Sequence, residues 1–186
     1  MAAAYIDINQ GLVDRCRNGE GKAQYEIYGL YARQMYNVCM RIVNHAADAE
    51  DILQEAFVEA FRYIHEFRGE SSFGAWLKKI VVNRAINHLK KRRLTLFETI
   101  PGIDQLTVDE QEGQDENTNL EVIRVHKAIM ELPTGYRLVL CLYLVEGYDH
   151  GEIAQILNIT ESTSKSQYNR AKTKLREQLK LERNER

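Results

Sequence analysis

The chain has 186 residues, of which 44% are apolar and 28% charged, and this balance excludes a fully disordered protein. No segment reaches the roughly 18 to 20 consecutive apolar residues that span a bilayer, and the first ten residues show no secretion signal. A cytoplasmic protein without membrane insertion is therefore expected. The three cysteines form no CxxC pair, which argues against a disulfide framework or a zinc site.

Charge is unevenly distributed along the chain. Residues 1–93 carry 14 Lys and Arg against 11 Asp and Glu, residues 94–119 carry none against 7, and residues 120–186 carry 11 against 9. Two mildly basic segments are thus separated by an acidic one. The second half of that segment offers only Val108 as a residue to bury, which predicts a flexible acidic linker.

Helical spacing recurs along the first segment, and no strand alternation or hairpin signal interrupts it. The apolar spacing predicts helices over about 23–44, 48–64 and 73–93. Asp48 is interpreted as the N-cap of the second helix, and Ser72 as the N-cap of the third, because both residue types accept hydrogen bonds from the free N–H groups of a first turn.

Four shorter helical patterns follow in residues 120–186. The second of them ends at Gly147, a natural C-terminal stop. Asn158 tolerates left-handed backbone geometry and opens a turn of about four residues, after which Thr160 or Glu161 starts the last helix. Two helices joined in this way predict a helix-turn-helix.

The expected fold class is therefore all-α, with two small helical domains joined by a flexible acidic linker. The domains are residues 1–93 and 120–186, the linker is residues 94–119, and the second domain contains the helix-turn-helix.

The last helix has two different faces at about 100° per residue. Its apolar face, which contains one polar residue, comprises Ser164, Tyr168, Ala171 and Leu175. The opposite face carries hydroxyl, amide and cationic side chains, namely Ser162, Ser166, Asn169 and Thr173, with Lys165 and Arg170 at its edges. Such a face can contact phosphates and base edges in a major groove, or it can be a solvated surface.

The helix 73–93 and the loop before it combine features suited to single-stranded nucleic acid. Lys79, Asn83, Asn87 and Lys90 align on one side of the helix, which ends in LKKRR. The loop and the first helical turn bring together one cation, two hydroxyls and two aromatic rings, namely Arg68, Ser71, Ser72, Phe73 and Trp76. This combination can hold unstacked bases. Alternatively, the basic end complements the helix dipole and the two rings belong to the core.

On the helix 48–64, four side chains share a polar face: Asp51, Gln54, Glu55 and Glu59. No His or third carboxylate is placed in sequence to complete a catalytic or metal site, so this face is interpreted as solvated or protein-binding. Phosphate-loop spacing and HExxH are also lacking. No enzyme, cofactor or metal site is predicted.

In this order, these segments resemble a known family. DAEDILQEAFVEAFRYIHEFRGESSFGAWLKKIVVNRAINHLKKRR resembles the polymerase-binding and promoter-melting region of bacterial extracytoplasmic-function sigma factors. LPTGYRLVLCLYLVEGYDHGEIAQILNITESTSKSQYNRAKTKL resembles their C-terminal promoter-reading domain. The likeness covers nearly the whole chain from about residue 20, and its most specific part is DAEDILQEAF followed by FRGESSFGAWL.

The resemblance implies a non-enzymatic initiation factor that binds core RNA polymerase and directs it to particular promoters. Asp51, Gln54 and Glu55 match the motif that docks on the clamp helices of the largest catalytic subunit. Contacts with the minus-ten element are implied for Arg68, Ser71, Ser72, Phe73, Trp76, Lys79, Asn83 and Asn87. Contacts with the minus-thirty-five element are implied for Ser162, Thr163, Lys165, Ser166, Asn169 and Arg170. The β-subunit flap and an anti-sigma factor are the further partners implied.

Two departures from the family pattern occur in the last helix. Ser164 stands where relatives commonly have Val, and Gln167 where they have Arg. The Ser164 hydroxyl is expected to bond to a backbone carbonyl. The loss of a cation at Gln167 should slightly reduce phosphate attraction.

Two rival functions are compatible with parts of the chain. A polymerase-independent helix-turn-helix regulator leaves FRGESSFGAW and the acidic segment without a role. A helical adaptor that uses only Asp51, Gln54 and Glu55 leaves LKKRR and the polar face of the last helix without one.

Overall fold

The computed structural model describes residues 10–99 and 120–184, with side chains for residues 10–92 and 121–180. Within these ranges the chain forms eight α-helices, one 3-10 turn and no strand, in two compact units, of which the first contains residues 10–99 and the second residues 120–184. The helices are α1 Gln10–Arg17, α2 Gly21–Val43, α3 Ala46–Arg62, α4 Phe73–Thr99, α5 Leu120–Met130, α6 Thr134–Leu144, α7 His150–Leu157 and α8 Glu161–Asn184. The all-α prediction is confirmed.

The acidic segment lies mostly outside the described residues. Helix α4 continues to Thr99, past its predicted end at Arg93, and residues 100–119 are not described. The predicted flexible linker therefore stays a prediction.

In the first unit, α2, α3 and α4 pack against one another around an apolar core, and α1 packs on α2. Ile27 and Met35 of α2 are fully buried, as are Leu77 and Val81 of α4, and Phe57 of α3 is 3% exposed. Ile27 and Met35 are eight positions apart, about two helical turns, and Leu77 and Val81 are four apart, so each pair lies on one helix face that is removed from water. This core holds the polar outer faces of α3 and α4 in place.

The N-terminus of α3 differs from the prediction. The helix begins at Ala46, and its N-cap is His45, whose Nδ1 accepts a hydrogen bond from the backbone N–H of Asp48 at 3.3 Å. Asp48 is thus inside the first turn, where its carboxylate meets Arg92 of α4 at 2.7 Å. The N-cap prediction for Asp48 is wrong, because the cap is His45, three residues earlier than the apolar spacing indicated.

In the second unit, α8 packs against α5, α6 and α7. A cluster of Leu132, Leu140 and Ala171 forms the centre of one part of this core. Arg137, only 5% exposed, donates from Nη1 to the carbonyl oxygens of Met130 and Leu132 at 3.3 and 3.4 Å. The buried guanidinium thereby satisfies carbonyl groups at the end of α5, which would otherwise lack helical partners.

Helices α7 and α8 form the predicted helix-turn-helix. Asp149 and Glu152 form a capping box that fixes the start of α7. Asn158 ends α7 in the left-handed region, with φ 56°, and α8 begins at Glu161. Both the turn residue and the start of the last helix are confirmed.

Candidate nucleic-acid and protein interfaces

The three predicted polymerase-binding residues lie on the exposed side of α3. Asp51, Gln54 and Glu55 are all exposed, whereas the intervening Ile52 and Leu53 are buried. Gln54 also lines an open groove between α2 and α3, together with Tyr28 and other residues of α2. The structure therefore brings the three side chains onto one surface.

The acidic face is partly neutralised from within the chain. Arg84 of α4 lies between Glu55 and Glu59 of α3; its Nη1 contacts Glu55 Oε2 at 2.9 Å, and its Nε pairs with Glu59. The hydrogen bond with Glu59 raises the pKa of Arg84, and the charges of both glutamates add to this effect. The spacing along α3 gave no sign of this partner, because it comes from another helix.

The loop before α4 presents Arg68 and Ser71 to solvent. Gly69 has φ +72°, a conformation that residues with a side chain rarely adopt. Ser72 Oγ accepts a hydrogen bond from the backbone N–H of Ala75 at 3.1 Å, so the predicted N-cap of α4 is confirmed. The first turn of α4 is thereby fixed next to the loop.

The two aromatic rings of this region have different environments. Phe73 is 0% exposed and its ring meets those of Tyr31, Phe67 and Trp76 at centroid distances of 5.5 to 5.6 Å. Trp76 is partly exposed and lines a shallow pocket with Tyr63 and other residues. The structure therefore removes Phe73 from the predicted direct minus-ten contacts, because its ring is enclosed by its neighbours, and leaves Trp76 as the accessible ring.

Helix α4 carries the predicted polar stripe on its outer face. Lys79, Asn83 and Asn87 are exposed, four residues apart, and extend from the end that holds Trp76. At the other end, Arg92 of LKKRR is paired with Asp48, whose Oδ2 also lies 3.3 Å from His88 Nε2. The three stripe residues thus form a continuous hydrogen-bonding surface of about two helical turns.

The outward face of α8 is also exposed. Ser162, Lys165, Ser166, Asn169 and Arg170 are all accessible, and Lys165 Nζ contacts Glu161 Oε1 at 2.6 Å. Thr163 is partly buried instead, and its hydroxyl lies 2.8 Å from that of Thr160, at the start of the helix. The backbone N–H groups at the start of α8 and the five exposed polar side chains can contact phosphates and base edges.

The inward face of α8 contains an interaction that the sequence did not predict. Ser164 is 0% exposed, and its Oγ lies 2.9 Å from Nδ1 of His150, the first residue of α7. The expected bond to a backbone carbonyl is replaced by this side-chain partner. No spacing rule pairs residues 14 positions apart, so only the packing of α7 on α8 could show it.

Comparison with known proteins defines the class of this fold. The model of Sigma-70 region 2 matches residues 27–95, which contain α3, the loop and the polar stripe of α4. The model of Sigma-70, region 4 matches residues 123–175, which contain the helix-turn-helix. The two units therefore correspond to two parts of a sigma factor of bacterial RNA polymerase.

Similar curated proteins narrow this class. The chain is 33% identical over 174 residues to the ECF RNA polymerase sigma-E factor of Haemophilus influenzae, covering 88% of this chain and 91% of that protein. It is 29% identical over 177 residues to the ECF RNA polymerase sigma factor SigW of Bacillus subtilis, covering 90% and 95%. The chain belongs to the extracytoplasmic-function sigma factors, which are transcription initiation factors.

A solved structure shares the fold. The sigma factor RpoE of Bartonella quintana, solved with the anti-sigma factor NepR, superposes with a TM-score of 0.63 at 22% identity and covers 84% of this chain and 96% of its own. In the part of this chain that the structure describes, no helix is long and apolar enough to cross a membrane. No cluster of three or more potential metal-ligating side chains occurs among the described residues either.

Proposed function

We propose that the three surfaces divide the work of initiation: α3 docks on core RNA polymerase, the loop and α4 hold the opened minus-ten element, and α8 reads the minus-thirty-five element. The observation that carries this proposal is the exposed stripe of Lys79, Asn83 and Asn87, which begins beside the accessible ring of Trp76. A regulator that only occupies double-stranded DNA, or an adaptor that only binds protein, has no use for this combination. No bond-making step is assigned to the chain, which acts by binding.

The acidic face of α3 supplies the polymerase contact. Asp51, Gln54 and Glu55 would meet basic groups on the clamp helices of the largest catalytic subunit. Long-range attraction between opposite charges speeds such docking, and the local hydrogen bonds determine its register. The neighbouring groove between α2 and α3 adds apolar and aromatic area beside Gln54.

Strand opening is assisted by capture of exposed bases. Unstacking costs a few kcal/mol per step, and stacking of a base on an aromatic ring returns about 1–3 kcal/mol. Trp76 offers such a ring, and Arg68, Ser71 and Ser72 supply a cation and hydroxyls for the neighbouring phosphates. Lys79, Asn83 and Asn87 would follow the strand along α4. Phe73 supports this surface from the core.

The second unit would contact duplex DNA and a second polymerase site. Ser162, Thr163 and Lys165 lie at the start of α8, where phosphate contacts are favoured, and Ser166, Asn169 and Arg170 follow along the same face. The remaining surface of this unit is proposed to bind the flap of the β subunit. The acidic segment 94–119 would connect the domains 1–93 and 120–186 within the positively charged channel of the polymerase.

An anti-sigma factor is the proposed inhibitory partner. The Bartonella quintana sigma factor with this fold was solved as a complex with one. By this analogy, an inhibitor would hold the chain away from polymerase until a signal releases it. No sensor is identified within the described residues, and regulation is proposed to come from such a partner.

Reconstitution tests the proposed function. The full chain is added to bacterial core polymerase, and run-off transcription is measured on fragments of bacterial genomic DNA. We expect specific transcripts that core polymerase alone does not produce. Stable core binding without any promoter-specific transcript would support the adaptor, whereas specific DNA binding that core polymerase does not influence would support the independent regulator.

A further inference from the structure

Three helices of the second unit meet at His150, on the side of α8 that faces away from the DNA-reading surface. The His150 ring stacks on Tyr143 near the end of α6, with a centroid distance of 4.5 Å and an interplanar angle of 14°. Tyr168 of α8 lies against both rings, at 4.7 Å from Tyr143 and 5.6 Å from His150. Ser164 Oγ completes the contact at 2.9 Å from His150 Nδ1.

The bond between Ser164 and His150 is both buried and directional. Ser164 is 0% exposed, so a hydroxyl without a partner there would cost about 1–3 kcal/mol. In one neutral tautomer Nδ1 accepts from the hydroxyl, and in the other Nδ1–H donates to Oγ, so either tautomer satisfies the pair. Because stacking on Tyr143 restricts the orientation of the imidazole plane, it also restricts the direction of the hydrogen bond between Ser164 and His150.

This direction determines how α8 is rotated about its own axis. Lys165 and Ser166 follow Ser164 immediately, and each residue turns the helix by about 100°. An apolar side chain at this position could shift against its neighbours with little loss of interaction free energy, because hydrophobic contact is non-directional. A hydrogen bond weakens steeply as its angle departs from linearity, and it therefore opposes such rotation.

We propose that His150 and Ser164 form a positioning pair that aims the reading face of α8 at the base edges, so that the pair contributes to sequence discrimination and not only to stability. This inference rests on the proposed minus-thirty-five function of α8. Neither residue contacts DNA in this proposal. Both act through Lys165, Ser166 and Asn169.

The test measures discrimination by the full chain bound to core polymerase. A promoter fragment identified by the run-off transcription experiment is compared with the same fragment carrying a scrambled upstream element. The ratio of the two affinities is then determined. Ser164→Ala removes the hydroxyl with little change of shape. His150→Phe keeps a ring to stack on Tyr143 and removes the nitrogen. The double variant replaces both polar partners at once.

We expect each single variant to lower the ratio by about fivefold or more, since one misdirected base contact costs about that much. The double variant should lower it no further than either single one, because both remove the same bond. It should nevertheless recover thermal stability, since a fully apolar pair leaves no unsatisfied group. Core-polymerase affinity should remain unchanged in all three.

A stability-matched control separates positioning from general loosening. Ile129→Val removes one methylene from the side chain that packs against the cluster of Leu132, Leu140 and Ala171, at a cost of about 0.5–1.5 kcal/mol, and leaves both residues of the pair unaltered. It should leave the ratio unchanged.

A ratio within twofold of the unmodified chain in Ser164→Ala would overturn the inference. So would an equal loss in Ile129→Val, or a ratio that recovers together with stability in the double variant. If the unmodified chain itself does not distinguish intact from scrambled elements, the proposed function of α8 fails, and this inference fails with it.

Discussion

At the scale of single residues, the carboxylates of the docking face on α3 are not equivalent. Asp51 is exposed and has no ion pair among the described residues, whereas Glu55 is paired with Arg84. Exposed ion pairs contribute about 0–1 kcal/mol, so the pairing of Glu55 is weak enough for a polymerase cation to compete with it. Core binding and fold stability should therefore respond differently at the two positions.

Asp51→Asn should weaken binding to core polymerase without changing the free energy of unfolding. Glu55→Gln should weaken binding and also lower the free energy of unfolding, by no more than about 1 kcal/mol. Fluorescence anisotropy with labelled chain measures the first quantity and urea denaturation the second. Arg84→Gln is the control: it should reduce stability without weakening core binding, because it leaves Glu55 free. Weaker core binding in Arg84→Gln would contradict this assignment.

Burial also determines the reactivity of the cysteines. It raises the pKa of the Cys39 thiol to about 12, and Cys16 and Cys141 are buried as well. An exposed thiol has a pKa of about 8.5, so the folded chain holds a proton that the unfolded chain releases. The corresponding stability is present below about pH 8.5 and is lost as the pH rises through 12.

We therefore expect no modification of the native chain by a disulfide reagent at pH 8, because the reactive thiolate does not form in the core. All three thiols should react once denaturant is added. The absorbance of the thiol that the reagent releases measures the extent of modification with and without denaturant. Rapid labelling of one cysteine in native buffer would mean that the surrounding helices open on that timescale.

At the scale of elements, α4 connects two tasks, because its inner face forms the core of the first unit and its outer face carries the polar stripe. Asn83 is exposed, whereas Val82 directly before it and Ala85 two positions after it are buried. A change confined to the outer face should therefore leave docking through α3 intact.

Asn83→Ala should reduce strand opening more than core binding. Permanganate reactivity of unpaired thymines in the promoter measures opening, and a core-binding assay runs beside it. Asn37→Ala, which alters an exposed asparagine of α2, serves as the matched control and should change neither. Equal losses of opening and of core binding in Asn83→Ala would reject the separation of the two surfaces.

Helix α8 divides into a reading face and a continuation that leads away from the turn. Arg170 is exposed on the reading face, whereas Arg176 is exposed almost two turns further on. Arg170→Ala should weaken binding to the upstream element and reduce the dependence of log K on log salt by about 1, as expected for one phosphate contact. Titrations of holoenzyme and promoter fragment at several salt concentrations measure this slope.

Arg176→Ala is the matched control for that change, since it removes the same charge from the same helix. It should leave the slope within error of the unmodified chain. An unchanged affinity of Arg170→Ala across the salt series would remove Arg170 from the proposed contacts.

At the scale of the whole molecule, the two units have separate cores, and the acidic segment joins them. Residues 94–119 contain no Lys or Arg, so trypsin has no site there, whereas a glutamate-specific protease has several. We expect the glutamate-specific protease to cut the native chain first within this segment, beyond the end of α4. Both fragments should keep helical circular dichroism. Mass spectrometry locates the cut, and a first cut inside α3 or α8 would contradict two separately stable domains.

Much of this architecture could be predicted because it depends on local signals. The apolar spacing of α2, the left-handed Asn158 and the N-cap Ser72 each act within a few residues of chain, and the structure confirms all three. Phe73 and Asp48 show the limit of such signals. An aromatic residue in a helix's first turn looks the same in sequence whether it is exposed or enclosed, and a capping residue looks the same as an acid in the first turn.

What the sequence by itself determined is the order of helices α2 to α8, the helix-turn-helix and the family, since these depend on periodicity, turn residues and motif order; helix α1, with only eight residues, was not predicted. Only the tertiary structure decided which side chains of each face are free to bind. Arg84 reaches Glu55 from another helix, Tyr31 and Phe67 enclose Phe73, and His150 meets Ser164. Each contact joins residues of different structural elements, so its energy depends on how those elements pack and leaves no periodic trace in the sequence.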